Sequence, residues 1–318
     1  MARGQTLLKF IGVGSFGVGM YYSLNLIATK PKISLPTTNR KLENKTIIVT
    51  GGTSGIGRRL TEQLSVRYGA KVIVAARDLE KCRAMKEEIE KMYNDNEFGD
   101  KVKHKLTDPE DKIECKLCDL KNFQSVADFC KSLGEDQKID SLINNAAIMR
   151  PTPSEKYEKV VKKQVPANTR LSVNNENTSQ IERLEKLTFL LAKTTDDLEE
   201  TLQVNAISPY FLSKLLVSQG KLETKSNDGD ADTIPSIINI TCDAQRYADL
   251  KLHDLNLMKT VEDAESAKYD ARTNLFYRNS KLCNILLTKE LSRENPSLKI
   301  IAVDWVWLKS INFLLKLI

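Results

Sequence analysis

Histidine is nearly missing from this 318-residue chain: His104 and His253 are the only two. Cysteine is sparse as well, with six residues scattered at Cys82, Cys115, Cys118, Cys130, Cys242 and Cys283. Cys115 and Cys118 form a C-x-x-C, a spacing that hints at metal or redox chemistry. No second C-x-x-C exists, so a zinc site is short of ligands and no metal is expected. Both cysteines fall in or beside an expected strand, Ile113 to Leu120, and buried free thiols are the expected reading. Nothing in the scatter suggests a disulfide framework, which suits a reducing compartment. Acid is missing too, from the whole of residues 1–42. Residues 1–45 carry seven basic side chains against Glu43 alone. The whole chain is +6, from 48 basic and 42 acidic residues, so the rest is neutral. That leaves no basic face for nucleic acid. A hydrophobic content of 41% supports one sizeable α/β domain with extensions.

The domain is organised around Thr46-Ile-Ile-Val-Thr-Gly-Gly-Thr-Ser-Gly-Ile-Gly57. Ile47, Ile48 and Val49 read as a buried strand, and the glycines that follow as a turn. Arg58 to Tyr68 reads as a helix, with Ile56, Leu60, Leu64 and Tyr68 along one face. Strand, glycine turn and helix open a dinucleotide-binding βαβ unit, in which the helix start favours phosphates. G-x-G-x-x-G is absent. The pattern is T-G-x-x-x-G-x-G, as Thr50, Gly51, Gly55 and Gly57, and it resembles the short-chain dehydrogenase/reductase family. The resemblance implies a doubly wound parallel sheet of Rossmann type, with cofactor contacts from Thr50, Gly51, Ser54, Gly55, Ile56 and Gly57.

Ahead of this unit, Phe10 to Ala28 is 19 residues without a charge. At about 1.5 Å per residue it nearly spans a hydrocarbon core of about 30 Å. Gly12, Gly14, Gly17 and Gly19 suit helix packing in lipid. A retained transmembrane anchor is the adopted reading, with a mitochondrial address and a cleaved signal peptide as alternatives. More basic residues follow the run than precede it, which places the main domain on the cytosolic side. The expected setting is the endoplasmic reticulum, with a mitochondrial membrane as the alternative. Residues 1–42 are read as anchor and linker.

Val72 to Ala76 is the second strand, followed by Arg77-Asp78. The residue after this strand meets the adenosine ribose, and an arginine there pairs with a 2′-phosphate. Arg77 therefore points to NADP(H), while Asp78 caps the next helix. The third strand ends at Cys118-Asp119-Leu120. In the resembled family an Asp-Leu here contacts adenine, and Asp119 is also a candidate helix cap. Asn144, Asn145, Ala146 and Ala147 resemble the family's N-N-A-G at the end of the fourth strand, which implicates Asn145 and Ala146 in cofactor binding. Residues 151–193 read as an insertion, with a glycosylation sequon at Asn177 that matters only if the domain is lumenal.

Thr194 to Lys221 reads as a long helix holding Asn205 and Pro209. Proline has no N–H for the carbonyl four residues back, so the Asn205 carbonyl is freed to hold a water. The resemblance makes that water part of a proton relay. Tyr277-Arg-Asn-Ser-Lys281 is the family's Y-x-x-x-K, two side chains on one helix face. A free tyrosine titrates near about 10, and a neighbouring ammonium lowers that value. The resemblance makes Tyr277 the acid/base, with Lys281 tuning it, and both residues touch the cofactor. It covers about residues 43–303, and the overall look is similar to membrane-anchored, retinol-dehydrogenase-like members.

Two departures stand against the pattern. The family ends its fifth strand with two serines, the second orienting the substrate oxygen; here Thr241 and Cys242 stand there. A thiol is a weak donor, and adjacent strand residues point to opposite faces, so either residue is a candidate. After the sixth strand, Lys299 to Val303, the family's Pro-Gly turn is lacking, and residues 304–318 form a hydrophobic tail. The expectation is an NADP(H)-dependent oxidoreductase interconverting alcohol and carbonyl groups on a hydrophobic substrate resembling a retinoid, sterol or lipid aldehyde. The alternative is a catalytically impaired cofactor-binding or interaction protein of the same fold. Homodimerisation through the Asn205 and Tyr277 helices is also implied.

Overall fold

The computed structural model describes residues 42–95, 111–149, 193–222, 234–255 and 275–304. The chain divides between Arg40 and Lys41, and every described residue belongs to the second unit. The apolar run 10–28, all of the expected insertion except Lys193, the sequon at Asn177 and the tail beyond Asp304 lie outside the described residues. Among the described residues no helix is long and apolar enough to cross a membrane.

Six parallel strands form one sheet in the order β3-β2-β1-β4-β5-β6. They are β1 Thr46–Thr50, β2 Lys71–Ala76, β3 Ile113–Leu117, β4 Ser141–Asn144, β5 Ser236–Thr241 and β6 Lys299–Asp304. The central strands are β-branched and buried on both faces, as a sheet covered on two sides requires. Alternate residues of β1 feed two cores. Ile47 and Val49 join Leu60, Leu64, Met85 and Ile89 on one face. Ile48 joins Val126, Phe129, Leu212 and Leu216 on the other. All strands run the same way, so the segments after β1, β4 and β5 open on one edge. The order reverses between β1 and β4, the place where such sheets bind ligands.

The helices are α1 Gly55–Glu62, running into a π-helical turn Gln63–Arg67; α2 Leu79–Asn94; and α3 Phe123–Ser132. A three-residue α4, Glu200–Leu202, leads through a π-helical turn Gln203–Ile207 into α5 Ser208–Ser218. A 3₁₀ turn, Asp243–Tyr247, and α6 Leu275–Glu294 complete the described set. Several expectations are corrected. The helix read from Thr194 starts at Glu200, because the Glu199 carboxylate accepts from the Thr201 and Leu202 N–H groups and caps it there. Ile56 leaves the buried stripe and is 43% exposed. The third strand stops at Leu117 rather than Leu120. Cys82 and Cys115 are joined in a disulfide, with Cα atoms 6.0 Å apart. The expectation of free thiols therefore fails for this pair: α2 and β3 pack against the same core and bring the two sulfurs together. Cys118, Cys130, Cys242 and Cys283 are free.

Candidate active site

The turn after β1 is held by its neighbour across the sheet. Thr50 Oγ1 accepts from the Asn145 and Ala146 N–H groups, each at 3.0 Å. Asn145 Nδ2 donates to the Thr50 and Gly51 carbonyls at 3.0 and 3.3 Å. Gly51 sits at φ +64°, and a Cβ there would lie 2.9 Å from Ala146 Cα. A Cβ on Gly57 would lie 2.2 Å from the Gly51 carbonyl oxygen. The two glycines are thus demanded by close backbone approach. Ser54 stands before α1 without a side-chain cap, and no acid occupies the first turn, leaving N–H groups and dipole for an anion.

This turn opens on a groove of about 420 Å³. Of the residues expected to bind cofactor, Gly51, Ser54, Ile56, Gly57, Arg77, Asp119, Leu120, Asn145 and Ala146 line it. Thr50 does not: it is buried, and its hydroxyl serves the neighbouring backbone. Gly55, Tyr277 and Lys281 are also outside the lining. The groove's adenosine end is built by α2 and the segment after β3. Asp78 Oδ1 accepts from the Lys81 N–H at 3.0 Å, which caps α2. Asp119 is not a helix cap; Asn122 caps α3, accepting from the Ser125 N–H, and Asp119 faces the groove. Ala147 lines the groove without needing positive φ; among the described residues Asp197 is the only non-glycine that has it.

Asn205 ties the groove to α6. Its Oδ1 accepts from the Ile148 N–H, and its Nδ2 donates to the Ile148 carbonyl, both at 2.8 Å. Nδ2 also lies 3.0 Å from Ser280 Oγ, beside Lys281 in α6. Pro209 has no N–H to give the Asn205 carbonyl, but the oxygen is taken: Asn284 Nδ2 donates to it at 2.9 Å. The expected water at this carbonyl thus meets a competing side chain.

Cys242 lies one residue past β5, with Sγ 3.5 Å from Tyr277 Oη. Thr241 points the other way, its hydroxyl 3.4 Å from the Lys281 carbonyl. Strand alternation thus puts Cys242 on the Tyr277 side of the strand end and Thr241 on the opposite side. Lys281 Nζ lies 5.4 Å from the Tyr277 ring centre and donates to the Ile240 carbonyl at 3.2 Å. Lys281 was expected to lower the Tyr277 pKa, yet the value is raised, first by burial and then by the hydrogen bond and charge of Cys242 and by Asp304. Burial also lowers the pKa of Lys281, which is 3% exposed. Desolvation of the phenolate is the largest cause of the Tyr277 shift.

Lys81 and Asn284 were missed in the sequence. Lys81 lines the groove one helical turn past Arg77; a cation in the first turn after an arginine was the available signal. Asn284 falls three residues past Lys281, on the same helix face.

A family model described as short chain dehydrogenase matches residues 45–174. Retinol dehydrogenase 13 from Homo sapiens is 28% identical over 253 residues, covering 79% of this chain and 55% of that protein. Human retinol dehydrogenase 11 is 26% identical over 258 residues, covering 81% and 58%. The chain thus spans little more than half the length of the curated relatives it matches. A crystal structure of an uncharacterized protein from Mycobacterium paratuberculosis aligns with TM-score 0.52 at 23% identity, covering 83% of this chain and 69% of that one; it shares the fold. With the glycine turn, the Asn145 lock and the strand order, these matches make the chain similar to the short-chain dehydrogenase/reductase family.

Proposed function

We propose that the protein is an NADP(H)-dependent oxidoreductase that interconverts alcohol and carbonyl groups on a hydrophobic substrate of retinoid, sterol or lipid-aldehyde type. The observation that carries this reading is the grouping of Tyr277, Lys281 and Cys242 at the strand edge that also holds the groove. The groove residues fit a dinucleotide, because the cradle at Gly51 and Gly57 has no room for a Cβ. The α1 N–H groups would hold the pyrophosphate. Arg77 and Lys81 would hold a 2′-phosphate, with the Asp78 carboxylate engaged in capping α2. When bound, the cofactor supplies or accepts the hydride. Tyr277 gives a proton to the carbonyl oxygen in reduction and takes one in oxidation. Cys242 orients that oxygen through a weak thiol donor, and Asn205 holds α6 against the groove wall. The names of the retinol dehydrogenases support the substrate class. The uncharged run 10–28 supports a membrane setting, read here as the endoplasmic reticulum with the catalytic domain cytosolic.

Turnover of retinaldehyde and long-chain aldehydes with NADPH and NADH tests the proposal. Tyr277→Phe is expected to lower turnover by about 10²–10⁴-fold while NADPH still binds. Arg77→Asp is expected to weaken NADPH by roughly 10–100-fold, the value of a charged hydrogen bond or two. Failure to bind either nucleotide would sink the reading. The Cys242 thiol favours a second reading, a cofactor-binding protein with impaired catalysis. Binding of NADPH without turnover, unrescued by Cys242→Ser, would select it.

A further inference from the structure

The Cys82–Cys115 disulfide joins the two walls of the groove's adenosine end. Cys82 directly follows Lys81 in α2, the helix capped by Asp78, and Arg77, Asp78 and Lys81 all line the groove. Cys115 lies in β3, an edge strand that ends at Leu117. The next four residues, Cys118, Asp119, Leu120 and Lys121, form the facing wall. One covalent bond thus fixes the distance between walls that lie 33 residues apart in the chain. Apart from Cys82, the buried residues of the sixteen-residue α2 are Met85 and Ile89, a narrow apolar stripe. We propose that the Cys82–Cys115 pair is a thiol–disulfide switch: closed, it holds Arg77 and Lys81 in place for a 2′-phosphate; opened, it loosens them and weakens NADP(H) binding. The proposal rests on the reading of the groove as an NADP(H) site.

The reductant is a dithiol. Its thiolate attacks the sulfur of Cys115, which is half-buried at the sheet edge, whereas Cys82 is fully buried. The Cys82–Cys115 bond breaks, and Cys82 leaves as a thiolate that takes a proton. The second thiol of the reductant then displaces Cys115, giving two protein thiols and one cyclic disulfide. Cys118 does not compete for Cys115. Burial, with Cys130 and Asp119 beside it, pushes the Cys118 pKa up to about 12, so it stays a protonated, poor nucleophile. A paired thiol facing a reducing compartment is a transient, sensing arrangement more often than a permanent staple.

The test is NADPH affinity of the full-length chain in detergent, measured by nucleotide fluorescence before and after dithiothreitol. The pairing is read in parallel by differential alkylation and mass spectrometry. NADPH is expected to bind about ten-fold more weakly after reduction, NADH to change little, and re-oxidation to restore the first value. Joint Cys82→Ser and Cys115→Ser substitution is expected to reproduce the reduced state and abolish the response to dithiothreitol. An NADPH affinity indifferent to the state of the pair overturns the switch and leaves the functional reading standing. So does a redox response that survives in the double variant, or a pair that stays unjoined after oxidation. No NADPH binding in either state overturns the functional reading and the switch together.

Discussion

Thr50 ends β1 and Cys242 follows the carboxyl end of β5, on either side of β4. Thr50 is locked: its hydroxyl accepts from two backbone N–H groups, and Asn145 reaches back to close the turn. Cys242 offers only a long thiol contact to Tyr277. The family model likewise covers residues 45–174 and leaves the Cys242–Tyr277 region unmatched. A binding cradle is made of backbone, and sterics admit few substitutes. A cluster such as Cys242, Tyr277 and Lys281 is made of side-chain chemistry, where one residue can stand for another with no change of fold.

Gly57→Ala should break the cradle half outright. A Cβ there meets the Gly51 carbonyl oxygen at 2.2 Å and Asn145 Nδ2 at 2.5 Å, and the Gly51 backbone has no flexible end to yield. The expected loss is about 3 kcal/mol of stability, with NADPH binding below detection in fluorescence titration. A stable, binding-competent Gly57→Ala would mean that the cradle is looser than its geometry.

The cradle was legible in sequence for the same reason that it is fragile. Each glycine and the Asn145 lock sit in a short, spaced motif, and β-branched runs mark the strands around them. The disulfide was not legible, because cysteines 33 residues apart reveal their partner only once α2 has docked on β3. Nor was the fate of the Asn205 carbonyl. Pro209 predicted that it would be freed, but the amide that takes it comes from Asn284, 79 residues away. The choice between Thr241 and Cys242 stayed open because it depended on where β5 ends.

Cys242→Ser sharpens the comparison from the catalytic side. A hydroxyl is a stronger donor than a thiol by about 1 kcal/mol, which is roughly five-fold in turnover. NADPH affinity should not move. The pH profile adds a second readout. Burial raises the Tyr277 pKa first, and Cys242 raises it further. Carbonyl reduction needs the protonated phenol, so its rate should stay flat from about pH 6 to about pH 9. Alcohol oxidation needs the phenolate and should climb throughout that range. Removing the thiol should move the oxidation limb to lower pH. An unmoved limb would mean that Cys242 does not act on Tyr277.

Thr241→Val gives the smallest expected effect and checks the strand register. The Thr241 hydroxyl is buried against the Lys281 carbonyl at 3.4 Å, away from Tyr277 Oη. Valine keeps the shape and removes one weak hydrogen bond, so stability should fall by about 0.5–1 kcal/mol in denaturant unfolding. The Tyr277-dependent pH profile should not shift, since Thr241 lies on the side of β5 away from the reacting groups. A shift comparable with that of Cys242→Ser would bring the threonine hydroxyl onto the reacting side. The difference between a locked cradle and an altered catalytic end would then rest on a register one residue out.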